Sequence, residues 1–206
     1  MTYAVKEIFK TIQGEGHHAG RVAVFCRFAG CNLWSGREED RASAVCKFCD
    51  TDFVGGTKYE TAEKLAREIE ATWGLSSNRD RMVVLTGGEP ALQYDARLEQ
   101  ELRRRNFYIA IETNGTVPIE GFPDWICLSP KANTHLVERE VSELKVIFPQ
   151  ADLDPENIPA IAMIYSLQPM DIDDRRAVNT QLAIDYCMKH PHWRLSQQTH
   201  KWAGIR

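Results

Sequence analysis

Four apolar runs in this chain each stop at a polar motif, and that repetition limits the possible folds more than any other feature of the sequence. Met82 to Thr86 leads into Gly87-Gly88-Glu89-Pro90, Phe107 to Glu112 into Thr113-Asn114-Gly115, Trp125 to Leu128 into Ser129-Pro130-Lys131, and Ala160 to Leu167 into Gln168-Pro169-Met170-Asp171. The runs are rich in β-branched and aromatic residues and bounded by Gly, Pro or Asn, the pattern of buried strands. Tyr3 to Phe9, Val22 to Phe28, Leu144 to Phe148 and, near the end, Trp193 to Thr199 read the same way.

Helical patterns lie between several of these strands. Thr61 is a capping residue, Leu65, Ile69 and Trp73 then recur at helical spacing, and Gly74 supplies a stop. From about Asp95 to Arg105, Leu98 and Leu102 face a core while Glu99/Arg103 and Glu101/Arg105 form i,i+4 pairs. A third stripe, Val178, Leu182 and Tyr186, ends at Lys189-His190-Pro191. Strands alternating with helices predict an α/β fold with a mainly parallel sheet, whose ligands gather beyond the carboxyl ends of the strands. Too few strand-helix units are visible for a full eight-stranded barrel. The expectation is an open partial (β/α) barrel of about six mainly parallel strands, one domain over residues 1–206, with an insertion at about 32–47 beside its mouth.

Charge narrows the ligand. With 25 basic and 29 acidic residues, net −4, the chain carries no electrostatic footprint for nucleic acid or anionic lipid, so a small molecule is expected. No basic segment with an apolar h-region opens the chain and no apolar stretch has membrane-spanning length, which points to a cytoplasmic protein. There its six cysteines stay reduced, and clustered cysteines suggest metal.

Cys31, Cys46 and Cys49 are spaced C-x14-C-x2-C. Three thiolates on a cluster of four irons leave one iron open to a cofactor or substrate, whereas a structural zinc site wants a fourth ligand, here His17, His18 or Asp50. Cys26, Cys127 and Cys187 are expected to pack in strands or a helix. In Gly87-Gly88-Glu89 the glycines admit a ligand close to the backbone, and the carboxylate can neutralise an ammonium group.

A three-cysteine loop after an early strand, followed by Gly87-Gly88-Glu89-Pro90 after the next strand-helix unit, resembles the radical S-adenosylmethionine superfamily. Within it, Gln13-Gly14-Glu15-Gly16, Phe28-Ala29-Gly30-Cys31-Asn32-Leu33-Trp34, Cys49-Asp50-Thr51, Glu112-Thr113-Asn114-Gly115 and Ser129-Pro130-Lys131 resemble the 7-carboxy-7-deazaguanine synthases, including a subgroup with this wide cysteine spacing. The resemblance implies a 4Fe-4S cluster, S-adenosylmethionine and Mg²⁺. It also implies conversion of 6-carboxy-5,6,7,8-tetrahydropterin to 7-carboxy-7-deazaguanine with loss of ammonia, a flavodoxin- or ferredoxin-type reductant, and a homodimer. The radical comes from the cofactor, so no side chain is needed as catalytic nucleophile or base.

Position by position, the resemblance places Phe48 against the adenine and the methionine end on Gly87, Gly88 and Glu89. Ser129, Pro130 and Lys131 with Gln168, Pro169, Met170 and Asp171 hold the rest of the cofactor, and Glu112 meets the ribose. Ile12, Gln13 and Gly14 read the pterin edge, Arg27 pairs with its carboxylate, Thr86 adds a hydroxyl, the terminal Arg206 reaches the substrate, and Thr51 holds Mg²⁺. Read as residues alone, Phe48 equally suits core packing, Ser129-Pro130 a strand-ending turn, Arg27 an ion pair with Glu15, and Thr51 a turn cap. Two other functions start from the same cysteines: a glycyl-radical-enzyme activase, whose usual short cysteine spacing is absent, and a noncatalytic zinc-binding adaptor, which leaves the other motifs unexplained.

Overall fold

The structure, a computed structural model, describes residues 1–74 and 79–205. Nine strands form one sheet: β1 (Tyr3–Ile12), β2 (Val22–Phe28), β3 (Thr57–Tyr59), β4 (Met82–Gly87), β5 (Tyr108–Thr113), β6 (Trp125–Leu128), β7 (Glu140–Phe148), β8 (Ile161–Pro169) and β9 (Trp193–Leu195). Their order is β3-β1-β2-β4-β5-β6-β7-β8-β9. Every pairing from β2 through β9 is parallel, while β1 runs antiparallel to β2 and β3. The sheet is open, with β3 and β9 at its edges. It exceeds the expected six strands because β1 and the three-residue β3 add antiparallel to β2, and the three-residue β9 adds parallel to β8.

The outer face carries α1 (Ala62–Trp73) and α2 (Ala96–Arg104) over β1 to β5, and α3 (Arg176–Lys189) over the β8 side. Thr61 caps α1 through the Lys64 amide at 3.2 Å, and Leu65, Ile69 and Trp73 face inward. Asp95 caps α2, and Leu98 and Leu102 are fully buried. The third stripe needs correction. Val178 and Leu182 are exposed and the buried positions of α3 are Asn179 and Ala183, because Asn179 turns inward to donate to the Met170 carbonyl at 2.8 Å. Trp193 to Thr199 is likewise shorter as a strand than expected, since the final helix α4 (Thr199–Ala203) begins at Thr199.

Apolar packing falls into three groups: one beneath α1 and α2, one beneath α3, and one on the concave face made by Ala23, Met82, Val84, Ala110, Trp125 and Cys127. Cys26 and Cys127 are packed in these groups as expected. Among the described residues no helix is long and apolar enough to cross a membrane.

Candidate functional site

Cys31, Cys46 and Cys49 line one cavity of about 590 Å³ at the carboxyl ends of the parallel strands. Cys31 follows β2 through Gly30, whose φ of 85° turns the chain and whose amide donates to the Phe53 carbonyl at 3.2 Å. The insertion then takes a defined path. Trp34 is buried edge-on against Phe53 at 5.5 Å, and Arg41 lies over the Trp34 ring at 4.1 Å. The Arg41 guanidinium donates to the carbonyls of Lys47 at 2.8 Å and Cys49 at 3.1 Å, pinning the corner that carries both cysteines.

A hydrogen bond between their sulfurs pushes Cys46 up, with burial adding to it, and pulls Cys49 down to about 6, helped by the amide and hydroxyl of Thr51. Burial pushes Cys31 up. Three free thiols on one wall make a donor set that would suit an iron–sulfur cluster with one iron left unligated by protein. Two of the three residues that could complete a zinc site lie elsewhere: His17 stacks on Trp125 at 4.6 Å and His18 is tilted against it at 4.7 Å, at the amino end of β6, and neither lines the cavity, whereas Asp50 does. Among the described residues no three His, Cys, Asp or Glu side chains are grouped to hold one metal ion.

The glycines after β4 dock this strand end onto the cysteine loop. A Cβ on Gly88 would collide with the Gly30 carbonyl oxygen, and one on Gly87, at φ 112°, with the Phe28 backbone. Instead the amides of Gly88 and Glu89 donate to the carbonyls of Phe28 and Gly30 at 3.0 and 2.9 Å. Glu89 lies behind the wall, 0 % exposed. Its carboxylate accepts from the Thr113 hydroxyl and Asn114 amide, both at 2.7 Å, and from the Ala91 amide at 2.9 Å, and burial pushes it up. It thus joins the loops after β4 and β5, whereas the sequence reading gave this carboxylate to a ligand's ammonium.

Polar side chains form the cavity floor. Glu112 accepts from the Gln13 side-chain amide at 2.9 Å and the Thr86 hydroxyl at 3.4 Å, and Lys145 lies 3.7 Å away. Lys145 also pairs with Glu15 at 2.6 Å. Burial alone would raise the Glu15 carboxyl, but the Lys145 ammonium and the amides of Gln198 and Gln168 bring it down to about 2. Lys145, buried between these carboxylates, is held well above its ordinary range. Arg27, beside Thr86 in the sheet, donates from Nε to Glu7 at 2.8 Å. The pairing with Glu15 that the sequence suggested is therefore not made, because Glu7 is its cross-strand neighbour.

The C-terminal segment covers the mouth. Thr199 donates from both its amide and its hydroxyl to the Gly14 carbonyl at 3.0 Å. Lys201 pairs with Asp171 and lies 3.5 Å from Asp50, so α4 bridges the loop after β8 and the cysteine loop. Lys131 folds back onto the Ser129 carbonyl and hydroxyl at 2.6 and 2.8 Å, 6.0 Å from the Phe48 ring.

Most residues singled out from the sequence share this cavity: Ile12, Gln13, Gly14 and Arg27 from the hairpin, Phe48 and Thr51 beside the cysteines, and Thr86, Gly87, Gly88, Glu112, Ser129, Lys131 and Gln168 to Asp171 at the later strand ends. Glu89 and Pro130 do not line it; Pro130 faces a neighbouring cavity of about 570 Å³. Arg206 lies outside the described residues. Lys145, Gln198, His200 and Lys201 also line it and were not given a site role from the sequence, and Glu15, read there only within its motif and as a partner for Arg27, joins them. For Lys145 the signal was its place in the middle of the apolar run Leu144 to Phe148, and for Glu15 its place in the Gln13-Gly14-Glu15-Gly16 motif.

Comparison with known proteins agrees with this geometry. The profile of the Radical SAM superfamily matches residues 41–137. The 7-carboxy-7-deazaguanine synthase of Caulobacter vibrioides is 57% identical over 100% of both chains, and that of Bradyrhizobium diazoefficiens 58% identical over 100% of both. The crystal structure of QueE from Escherichia coli superposes with a TM-score of 0.68 at 27% identity, covering 96% of this chain and 94% of that one.

Proposed function

The chain belongs to the 7-carboxy-7-deazaguanine synthases of the radical SAM superfamily, and on that premise we propose that it converts 6-carboxy-5,6,7,8-tetrahydropterin to 7-carboxy-7-deazaguanine with loss of ammonia. The observation that supports this most is the meeting of three free cysteines and four strand-end motifs in one cavity. Cys31, Cys46 and Cys49 would hold a 4Fe-4S cluster, which with S-adenosylmethionine would supply one-electron chemistry at the substrate.

The chain's own residues bind and orient. Gly87 and Gly88 offer backbone to the methionine end, Phe48 a ring face to the adenine, and Glu112 an acceptor for ribose hydroxyls. Ser129, Lys131 and Gln168 to Asp171 complete the cofactor's surroundings. Ile12, Gln13, Gly14 and Thr86 meet the pterin edge, and Arg27 its carboxylate. Buried, mutually paired groups such as Lys145 and Glu15 keep the floor rigid, so the reacting carbon is presented in one geometry. The reductant is of the flavodoxin or ferredoxin type and the assembly a homodimer.

Mg²⁺ is the third cofactor. Thr51 puts a hydroxyl oxygen on the cysteine wall, a donor that would suit a hard cation, which prefers oxygen ligands. Thr51→Val should keep iron, sulfide and S-adenosylmethionine binding but lose Mg²⁺ stimulation of turnover; a valine protein that responds to Mg²⁺ as the parent does would assign Thr51 to the turn alone. The reaction itself is tested by anaerobic incubation of the reconstituted protein with S-adenosylmethionine, reductant and the carboxypterin. Mass spectrometry should show 7-carboxy-7-deazaguanine, and its absence with an intact cluster would refute the assignment.

A further inference from the structure

We propose that Glu7 is a positioning residue that fixes which edge of the Arg27 guanidinium is offered to the substrate, and so makes this wall selective for a planar carboxylate. The inference rests on the reading of Arg27 as the partner of the pterin carboxylate.

Arg27 and Glu7 are cross-strand partners on β2 and β1, set opposite one another where the register shifts between Val5 and Glu7. Both line the cavity, and their side chains are 24% and 28% exposed, so water screens the contact only partly. The bond engages Nε of Arg27 at 2.8 Å. A guanidinium has two forks that match a carboxylate, one using Nε and one using the two terminal nitrogens. Occupying Nε removes the first and leaves the terminal fork.

Phe9 limits the remaining freedom. Its ring stacks on Phe25 at 5.5 Å and 16°, and the Arg27 Cζ lies 5.9 Å from its centroid. Held by a carboxylate on one side and a ring on the other, a side chain that otherwise carries large rotamer entropy is ordered before the ligand arrives. Charge points the same way. Glu7 balances Arg27, and the adjacent Lys6 and Asp52 balance each other at 2.7 Å. A wall without surplus positive charge discriminates by the geometry of the fork more than by attraction to any anion.

The test uses anaerobically reconstituted protein loaded with S-adenosylmethionine and calorimetry with two probes, 6-carboxypterin and pterin lacking the carboxylate. The ratio of their affinities is the readout. Glu7→Gln keeps an acceptor for Nε and should leave the ratio within about threefold of the parent, whereas Glu7→Ala should lower it about tenfold without changing affinity for plain pterin or cofactor. Glu7→Asp, which keeps the charge but cannot reach, should behave as the alanine variant does and stands in for it should that protein fail to fold. An unchanged ratio in the alanine and aspartate variants, with the ratio lost in Arg27→Gln, would overturn the proposal for Glu7 alone. A ratio preserved in Arg27→Gln would remove the underlying reading of Arg27 as well.

Discussion

At the scale of single residues the site depends on atoms that are missing as much as on those present. Gly88 is the sharpest case, since any Cβ there meets the Gly30 carbonyl one residue before Cys31. Gly88→Ala should therefore displace the cysteine loop, and we expect loss of most of the bound iron after anaerobic reconstitution while the circular dichroism spectrum stays that of the parent. Glu89 predicts the opposite balance. It touches no cavity space, yet its carboxylate accepts three hydrogen bonds in full burial, so Glu89→Ala should destabilise the fold by about 3 kcal/mol in denaturant titrations. Sequence alone marked both residues as special. It could not separate a glycine that admits a neighbouring loop from one that admits a ligand, because the difference is which backbone arrives from elsewhere in the chain.

At the scale of elements, β7 and α4 hold what the sequence concealed. β7 begins at Glu140, earlier than its apolar run, because Glu143 and Lys145 point their charges into a polar interior and break the apolar pattern. Lys145→Met would leave Glu15 and Glu112 without their ammonium, at an expected cost of about 3–5 kcal/mol. The pH dependence follows from Glu15. Its folded value of about 2 lies below its ordinary 4.5, so its pairing stabilises the fold above pH 4.5 and that contribution fades as pH falls towards 2. Denaturant titrations across that window should give a shallower loss of stability for Lys145→Met than for the parent. In α4 the Lys201 contacts to Asp171 and Asp50 span two loops. Lys201→Ala should raise amide exchange in residues 199–203 severalfold while exchange in β5 and β6 is unchanged.

At the scale of the whole molecule, stability and chemistry occupy different places. The three apolar groups lie under the helices and within the concave face, whereas Cys31, Cys46 and Cys49 sit at the mouth. Removing iron with a chelator should thus abolish turnover yet leave a cooperative thermal transition and unchanged far-ultraviolet dichroism; a chelated protein that loses its transition would show the cluster to be structural. The sequence by itself determined the strand-helix alternation, the parallel order that brings Gly87-Gly88, Glu112, Ser129 and Gln168 to one end, and the three cysteines, because strand periodicity, turn residues and thiol spacing are local properties. Only the tertiary structure decided that Arg27 meets Glu7, that Glu89 turns away from the cavity, that α3 buries Asn179 in preference to Val178, and that Glu15, Lys145 and Lys201 join the site. Each of those choices is set by which residues distant in the chain are brought close enough to offer a hydrogen bond or an opposite charge, and no local pattern encodes that distance.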